Sequence, residues 1–490
     1  MKQKTLDKIN EKINLLDTAS ANFANKLIGT NEMKKVSAPL GIYEQRNSLF
    51  MMRIRVPGGE LSLEKLKEII QILKSNQIEK LHITTRQDLQ LHDVLPGKLA
   101  KIAREFLNIS MPFYGGGGDT LRNITACPHG LFYNNSVFDT VPYAALLNSY
   151  LMDYDRAFDL PRKFKINISC CPDDFSMAKF TDIGFIAKIA NGRRGFEVYS
   201  GGGMGRESYA GIKISDFISD DELLLYSVAA INLFYKCGNR ENRLKARLRF
   251  VLIEKGEDFF RNEFEKQLND ARNLSLKFQL DEIYKTITSG KEKYFARLFI
   301  PNGNLSLKIL EKIVKNAELY AAESLRFSQN QDVFVIFSDS QKKEEFCNIF
   351  PEFSSHKISG LIKSCIGAST CKIGLLDTQK DSNAISNRIY EYLQEIKLDE
   401  SKLNFIVDKI LNNIKLSGCQ NSCGLNRAVS FGFQGIKKNI NGKVENFYIF
   451  QNQGSVSSGE LSRNTGIEVK ADDMPEFVLN IIKNLIDDLK

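Results

Sequence analysis

Residues 50–70, FMMRIRVPGGELSLEKLKEII, and residues 294–314, YFARLFIPNGNLSLKILEKIV, are two copies of one pattern. A constant offset of 244 aligns them and carries LHITTRQDLQL (81–91) onto LRFSQNQDVFV (325–335) without a gap. Between 53 and 88, 12 of 36 positions are identical, which marks the chain as an internal duplication. Each copy reads as an apolar strand, a Pro/Gly turn, an amphipathic helix and a second strand. In the first copy Leu63, Leu66, Ile69, Ile70 and Leu73 recur at helical spacing, while Leu81, Ile83, Leu89 and Leu91 favour extended chain. The repeat therefore predicts an α+β or α/β fold.

The duplication runs past these units. At offset 244 Cys127 falls on Cys371, and at offset 248 Cys171 falls on Cys419, with Gly184 and Phe185 on Gly432 and Phe433. Amphipathic helices are expected at the N-terminus (Leu6, Ile9, Ile13, Leu16) and the C-terminus (Phe477, Val478, Ile481, Ile482, Leu485, Leu489), their stripes facing the core. The predicted layout is an N-terminal helical arm (1–45), a half-domain (46–110), a larger α/β domain (111–285), a second half-domain (286–350) and a second larger α/β domain (351–490).

At 490 residues the chain exceeds one typical core, and 43% hydrophobic with 26% charged residues is ordinary globular composition. The charged start, MKQKTLDKINEKINLLD, does not suit a signal peptide, and no apolar run reaches membrane-spanning length. A cytoplasmic protein is expected, in which nine cysteines are metal ligands and buried thiols rather than disulfides. The net charge of +8 suits an acidic partner or an anionic ligand, or a generally basic surface. No motif points to nucleic acid. His82, His92, His129 and His356 show no paired ligand spacing.

The second copy holds Cys365 and Cys371 as C-x5-C, then Cys419 and Cys423 as C-x3-C; the first has Leu121 and Phe175 opposite Cys365 and Cys423. Only the second copy can assemble a four-thiolate site. Thiolates suit iron–sulfur and zinc centres alike. C-x5-C is wider than the usual zinc knuckle, and small neighbours (CIGASTC, SGCQNSCG) let backbone N–H groups reach cluster sulfurs. An iron–sulfur cluster, zinc or no metal all stay open on spacing alone. Cys127, Cys170, Cys171, Cys237 and Cys347 read as buried structural thiols.

In their order and spacing, TTRQDLQLH (84–92), LRN (121–123), LPRKFK (160–165), GGGMG (201–205), GNR (238–240) and the two cysteine pairs resemble the sulfite and nitrite reductase family. The resemblance implies two ferredoxin-like half-domains and two larger α/β domains related by a pseudo-twofold, with sirohaem and a [4Fe–4S] cluster as cofactors. It implies that Cys365, Cys371, Cys419 and Cys423 bind the cluster, with Cys423 also bridging to the sirohaem iron. Around the substrate it places Arg53, Arg122, Lys163 and Lys165. Near the sirohaem carboxylates or ring edge it places Arg86, Gln90, His92 and Arg162. For GGGMG it implies a close backbone approach to sirohaem, the plain alternative being a tight turn. The implied reaction is sulfite to sulfide, or nitrite to ammonia on the same cofactors, with ferredoxin or a flavoprotein as electron donor. Lys165 at the end of LPRKFK favours sulfite, whereas the glycine in CIGASTC leans toward nitrite. The chain departs from the family at Gln420, where proline is common. A structural zinc protein is the alternative of another class.

Overall fold

The computed structural model describes residues 1–487 apart from 134, 275, 277, 282, 285–292, 355–360 and 397–399. His356, Leu489 and the expected boundary at 285/286 lie outside the described residues. Four sheets are present, two small and antiparallel, two larger and mixed.

The turn at Pro57–Gly59 shows how the repeat builds its fold. Gly58 and Gly59 have φ of 65° and 78°, and in the second copy Asn302 and Gly303 have 49° and 70°. All lie in the left-handed region, which glycine and asparagine tolerate best. Gly59 is also pressed against the Phe327 carbonyl, and Gly303 against the Ile83 carbonyl, so that a Cβ at either would collide with backbone. Ser62 and Ser306 then cap the two helices, accepting from Lys65 N and Ile309 N, both at 3.2 Å. The helices Leu63–Asn76 and Leu307–Leu319 pack against each other.

The two half-domains exchange strands. The first sheet runs Ile42–Glu44, Phe50–Ile54, Leu89–Val94, Lys80–Ile83 and then Asn304–Ser306 from the second copy. The other runs Tyr294–Leu298, Val333–Phe337, Ser324–Phe327 and then Glu60–Ser62 from the first copy. Leu81 pairs with Leu305 and Leu61 with Leu325, each contact being the other shifted by the repeat offset. Gln87 Nε2 donates to Phe327 O at 2.7 Å, and its twin Gln331 donates to Ile83 O at 3.1 Å. The chain thus carries a pseudo-twofold, and its half-domains share one core rather than two. This body also takes in Ile42–Glu44, inside the stretch predicted as helical arm, and packs Ile9, Ile13 and Leu16 of the helix Gln3–Ala24.

Each larger domain has its own core. In the first, strands Leu121–Ala126, Phe164–Ser169 and Ile183–Ala190 are parallel, followed by antiparallel Arg193–Ser200 and Ile212–Ser219. Lys363–Ser364, Ile414–Ser417, Phe431–Ile440, Lys443–Asn452 and Arg463–Lys470 repeat this order and polarity. In open sheets of this kind ligands sit beyond the carboxyl ends of parallel strands. Cys365 directly follows one such strand and Cys419 follows its neighbour by two residues.

Candidate functional site

A cavity of about 1550 Å³ lies where the shared half-domain body meets both larger domains. Cys365, Cys371, Cys419 and Cys423 line it, as do Arg53, Arg86, Gln90, His92, Arg122, Arg162, Lys163 and Lys165. Residues 370 positions apart in sequence therefore face one space. Arg55, beside Arg53 in sequence, does not line it. Its guanidinium is buried, donating to Asn148 Oδ1 at 2.6 Å and to the Tyr114 carbonyl at 3.3 Å.

Arg53 and Arg122 are aimed by the glycine run 115–118. Arg53 Nη1 and Arg122 Nη1 both donate to the Gly116 carbonyl, at 3.0 and 2.9 Å, and Arg122 Nη2 donates to Gly118 O at 2.7 Å. A Cβ at Gly117 would collide with the Ala38 carbonyl and the Tyr43 hydroxyl. That hydroxyl accepts from Gly118 N at 2.9 Å. Burial alone would raise the Tyr43 phenol, but Arg122, the Gly118 N–H and Arg53 together hold it below its ordinary value. Behind Arg53, Gln90 turns its amide oxygen to Arg53 Nη2 and Nε (2.8 and 3.1 Å) and donates to His92 Nε2 at 3.2 Å. His92 Nδ1 lies 3.2 Å from Gln45 Nε2, and burial pushes this imidazole down to about 3, so it is neutral. Gln90 and His92 thus engage each other and Arg53.

Arg86 and Arg162 direct much of their charge into the protein. Arg86 donates to Asn167 Oδ1 at 3.0 Å and to the carbonyls of Asn123 and Ile166. Arg162 pairs with Asp119 at 3.1 Å, and Arg243 shares that carboxylate. The second copy reverses the first of these pairs. Arg86 is matched by Asn330 and Asn167 by Lys415, and Lys415 Nζ donates to Asn330 Oδ1 at 2.7 Å.

Lys163 and Lys165 differ from all of these. Phe164 between them is fully buried in the domain core, so strand alternation turns both lysines to the cavity face. Neither ammonium has a hydrogen-bond acceptor or ion-pair partner among the described residues. Burial pushes Lys163 down to about 7, with Arg247 and Arg122 adding to the drop and the Cys423 sulfur opposing it. Lys165 is held well below the ordinary lysine range by burial, then by Arg86, Lys163 and Arg247. A face that depresses its own ammoniums is one that an anion would relieve.

The cysteine face is built from two loops locked together by backbone. Leu375 N and Leu376 N both donate to Gly418 O (3.1 and 3.2 Å), and Gly418 N donates to Cys365 Sγ at 3.2 Å. Gly367, at φ 64°, lets the first loop turn against Thr378. Burial and the Cys423 sulfur push the Cys365 thiol up to about 11. Burial raises Cys419 too, with Cys423 and Cys371 adding to it, which places the four sulfurs within electrostatic reach of one another. From the first copy, Thr85 Oγ1 donates to the Cys423 carbonyl at 3.2 Å.

These residues fit the cofactors that the resemblance implies. A cubane bonds each cysteine to a different iron and spreads its ligands wider than one ion does. Among the described residues, no three His, Cys, Asp or Glu side chains converge on a single ion position. Buried Arg86 Nε and Arg122 Nε lack partners at the cavity, as a polycarboxylate ligand would require.

Sequence reasoning missed Tyr43, the glycine carbonyls and Arg247. Arg247 forms a buried pair with Asp182 at 2.8 Å and depresses both lysines. The signal for the carbonyls was GGGG ahead of Arg122; nothing local singled out Tyr43. GGGMG (201–205) brings Gly203 and Gly205 against Arg247 and Arg249 and places Met204 in the cavity wall. Cys127, Cys170 and Cys171 are fully buried together, away from the cavity. Cys237 and Cys347, expected to be buried, are part-exposed, because each sits in the last turn of a surface helix.

Two family descriptions match the chain: "Nitrite/Sulfite reductase ferredoxin-like half domain" over residues 43–109, and "Nitrite and sulphite reductase 4Fe-4S domain" over 117–271. The second match covers the first copy; the four cysteines lie beyond it. The sulfite reductase [NADPH] hemoprotein beta-component of Staphylococcus carnosus is 24% identical over 84% of this chain and 77% of that protein. The assimilatory ferredoxin-dependent nitrite reductase of Haloferax mediterranei is 23% identical over 90% and 81%. The solved structure of the Mycobacterium tuberculosis NirA protein shares the fold with a TM-score of 0.79 at 19% identity, covering 93% of this chain and 88% of that one. The chain belongs to the nitrite and sulfite reductase family, oxidoreductases that work with a [4Fe–4S] cluster and sirohaem.

Proposed function

We propose that this protein reduces sulfite to sulfide, taking up six electrons and six protons and releasing three waters. The observation that carries this reading is the pair Lys163 and Lys165, two ammoniums without protein acceptors among the described residues, in one cavity with Arg53, Arg122 and four cysteines. Cys365, Cys371, Cys419 and Cys423 would hold the cluster, with Cys423 as its link to the haem iron. Arg86, Arg162, Gln90 and His92 would lie along the tetrapyrrole edge. Together the cofactors supply single-electron delivery and an open iron position. The chain's own residues do the rest. Arg53 and Arg122, fixed by the Gly116 carbonyl, present planar donors to the oxyanion. Lys163 and Lys165 add compact charge and hold protons at Nζ for the departing oxygens. A lysine ionised at a depressed value gives its proton up more readily than an exposed one.

Nitrite to ammonia is the second reading, favoured by the glycine of CIGASTC and by nitrite reductases among the relatives. Anaerobic purification followed by absorption and metal analysis tests both. Sirohaem bands with iron and acid-labile sulfide are expected, and a colourless zinc protein would refute the reductase. Steady-state rates on sulfite and nitrite with one chemical reductant then decide the substrate.

A further inference from the structure

The loop that carries Cys365 and Cys371 also reaches the surface. Ile373 is 67% exposed and Leu375 41%, while Gly374 between them and Leu376 after them are buried. Among the large exposed apolar side chains of the described residues, no other two lie so close in sequence. Their exposure is held in place. Arg46 Nε donates to the Cys371 carbonyl at 3.0 Å and Arg46 Nη2 to the Gly374 carbonyl at 2.8 Å. Gly374 N donates to Cys371 O at 3.1 Å, and the following two N–H groups are fixed on Gly418. Two aliphatic side chains are thus presented rigidly, two and four residues from a cluster thiol.

The surroundings are basic. Residues 363–376 contain two lysines and no acid. Lys372, Lys34, Lys35 and Arg46 are exposed, and the first three share the cavity wall with Cys371 and Ile373. The nearby acids are already engaged. Glu44 pairs with Lys372 at 2.6 Å and accepts from Thr30, and Glu32 caps Gly29 N at 2.9 Å. A small apolar centre inside a charged rim is the anatomy of a transient protein interface. Electron transfer weakens steeply with distance, so a donor gains most by docking where the cluster loop is thinnest.

We propose that Ile373 and Leu375, with the rim of Lys372, Lys34, Lys35 and Arg46, form the docking surface for a small acidic one-electron carrier protein. The inference rests on the reductase reading, and its test separates the two. Holoenzyme carrying Ile373→Glu, and separately Lys372→Glu, is titrated calorimetrically with an acidic plant-type ferredoxin and assayed with reduced methyl viologen, a small reductant that needs no docking surface. Binding is expected to weaken roughly tenfold or more for Ile373→Glu, and to lose part of its salt dependence for Lys372→Glu, with viologen-driven rates unchanged. Unaltered ferredoxin affinity in Ile373→Glu would overturn the proposal. So would a dimeric wild-type enzyme that Ile373→Glu turns monomeric, since a second copy would then own the surface. Wild-type holoenzyme inert toward both anions with viologen would remove the reductase reading, while the binding titration still decides the docking surface.

Discussion

Arg53 and Arg122 sit on different strands, yet one carbonyl, that of Gly116, fixes the distance between their guanidinium groups. Gly117 keeps that carbonyl in place because nothing larger than hydrogen fits between Ala38 O and Tyr43. Gly117→Ala should therefore shift the loop and lower kcat/KM about tenfold or more, with a melting temperature close to wild type; unchanged kinetics would show that the loop does not aim the arginines. Lys165 is the residue on which substrate choice turns. Lys165→Asn removes one buried cation, and the sulfite-to-nitrite ratio of kcat/KM should fall by about tenfold. A ratio that stays fixed would assign selectivity elsewhere. The sequence shows that these residues carry charge. It does not show which charges are already spent, because Asn148 for Arg55 and Asp119 for Arg162 lie 93 and 43 positions away.

At the scale of elements, the strands Lys80–Ile83 and Asn304–Ser306 join the two copies, with His82 directly opposite Asn304. His82 Nδ1 lies 3.1 Å from Asn304 Oδ1 and Nε2 lies 3.3 Å from Gln331 Nε2, an arrangement that suits a neutral ring. Burial pushes its value down from 6.5 to about 4, the Asn304 hydrogen bond only partly offsetting it. Above about pH 6.5 the ring is neutral in both folded and unfolded chains, and its contribution is fully present. As pH falls toward 4 only the unfolded chain takes up the proton, and roughly 3 kcal/mol is lost. Melting temperature should drop over that window, and His82→Gln should flatten the slope; a variant with the wild-type slope would place acid sensitivity at other groups. The helices, turns and caps of this region are readable in sequence because period, left-handed turn residues and Ser caps are local. The strand exchange is not, because a strand carries no mark of its partner.

Across the whole molecule, the duplication divides the work between its halves. The first copy supplies Arg53, Arg122, Lys163 and Lys165, the second the four cysteines, and the cavity exists only where they meet. A fragment of residues 1–274 leaves Glu60–Ser62 and Lys80–Ile83 with unpaired edges. It should be insoluble or self-associated, and should hold no iron. A soluble monomer by light scattering would mean that the half-domains do not depend on each other.

By itself the sequence determined the duplication, the type and order of most elements, and which cysteines can act as a set of four. These follow from periodicity, turn chemistry and comparison of one copy with the other, all of which are written along the chain. Only the tertiary structure decided that the half-domains fuse into one core, that Gln90 and His92 brace Arg53, and that Lys163 and Lys165 keep their charge for a ligand. Those outcomes depend on what lies opposite each side chain once distant segments meet, and electrostatic pairing is settled by that proximity rather than by residue type.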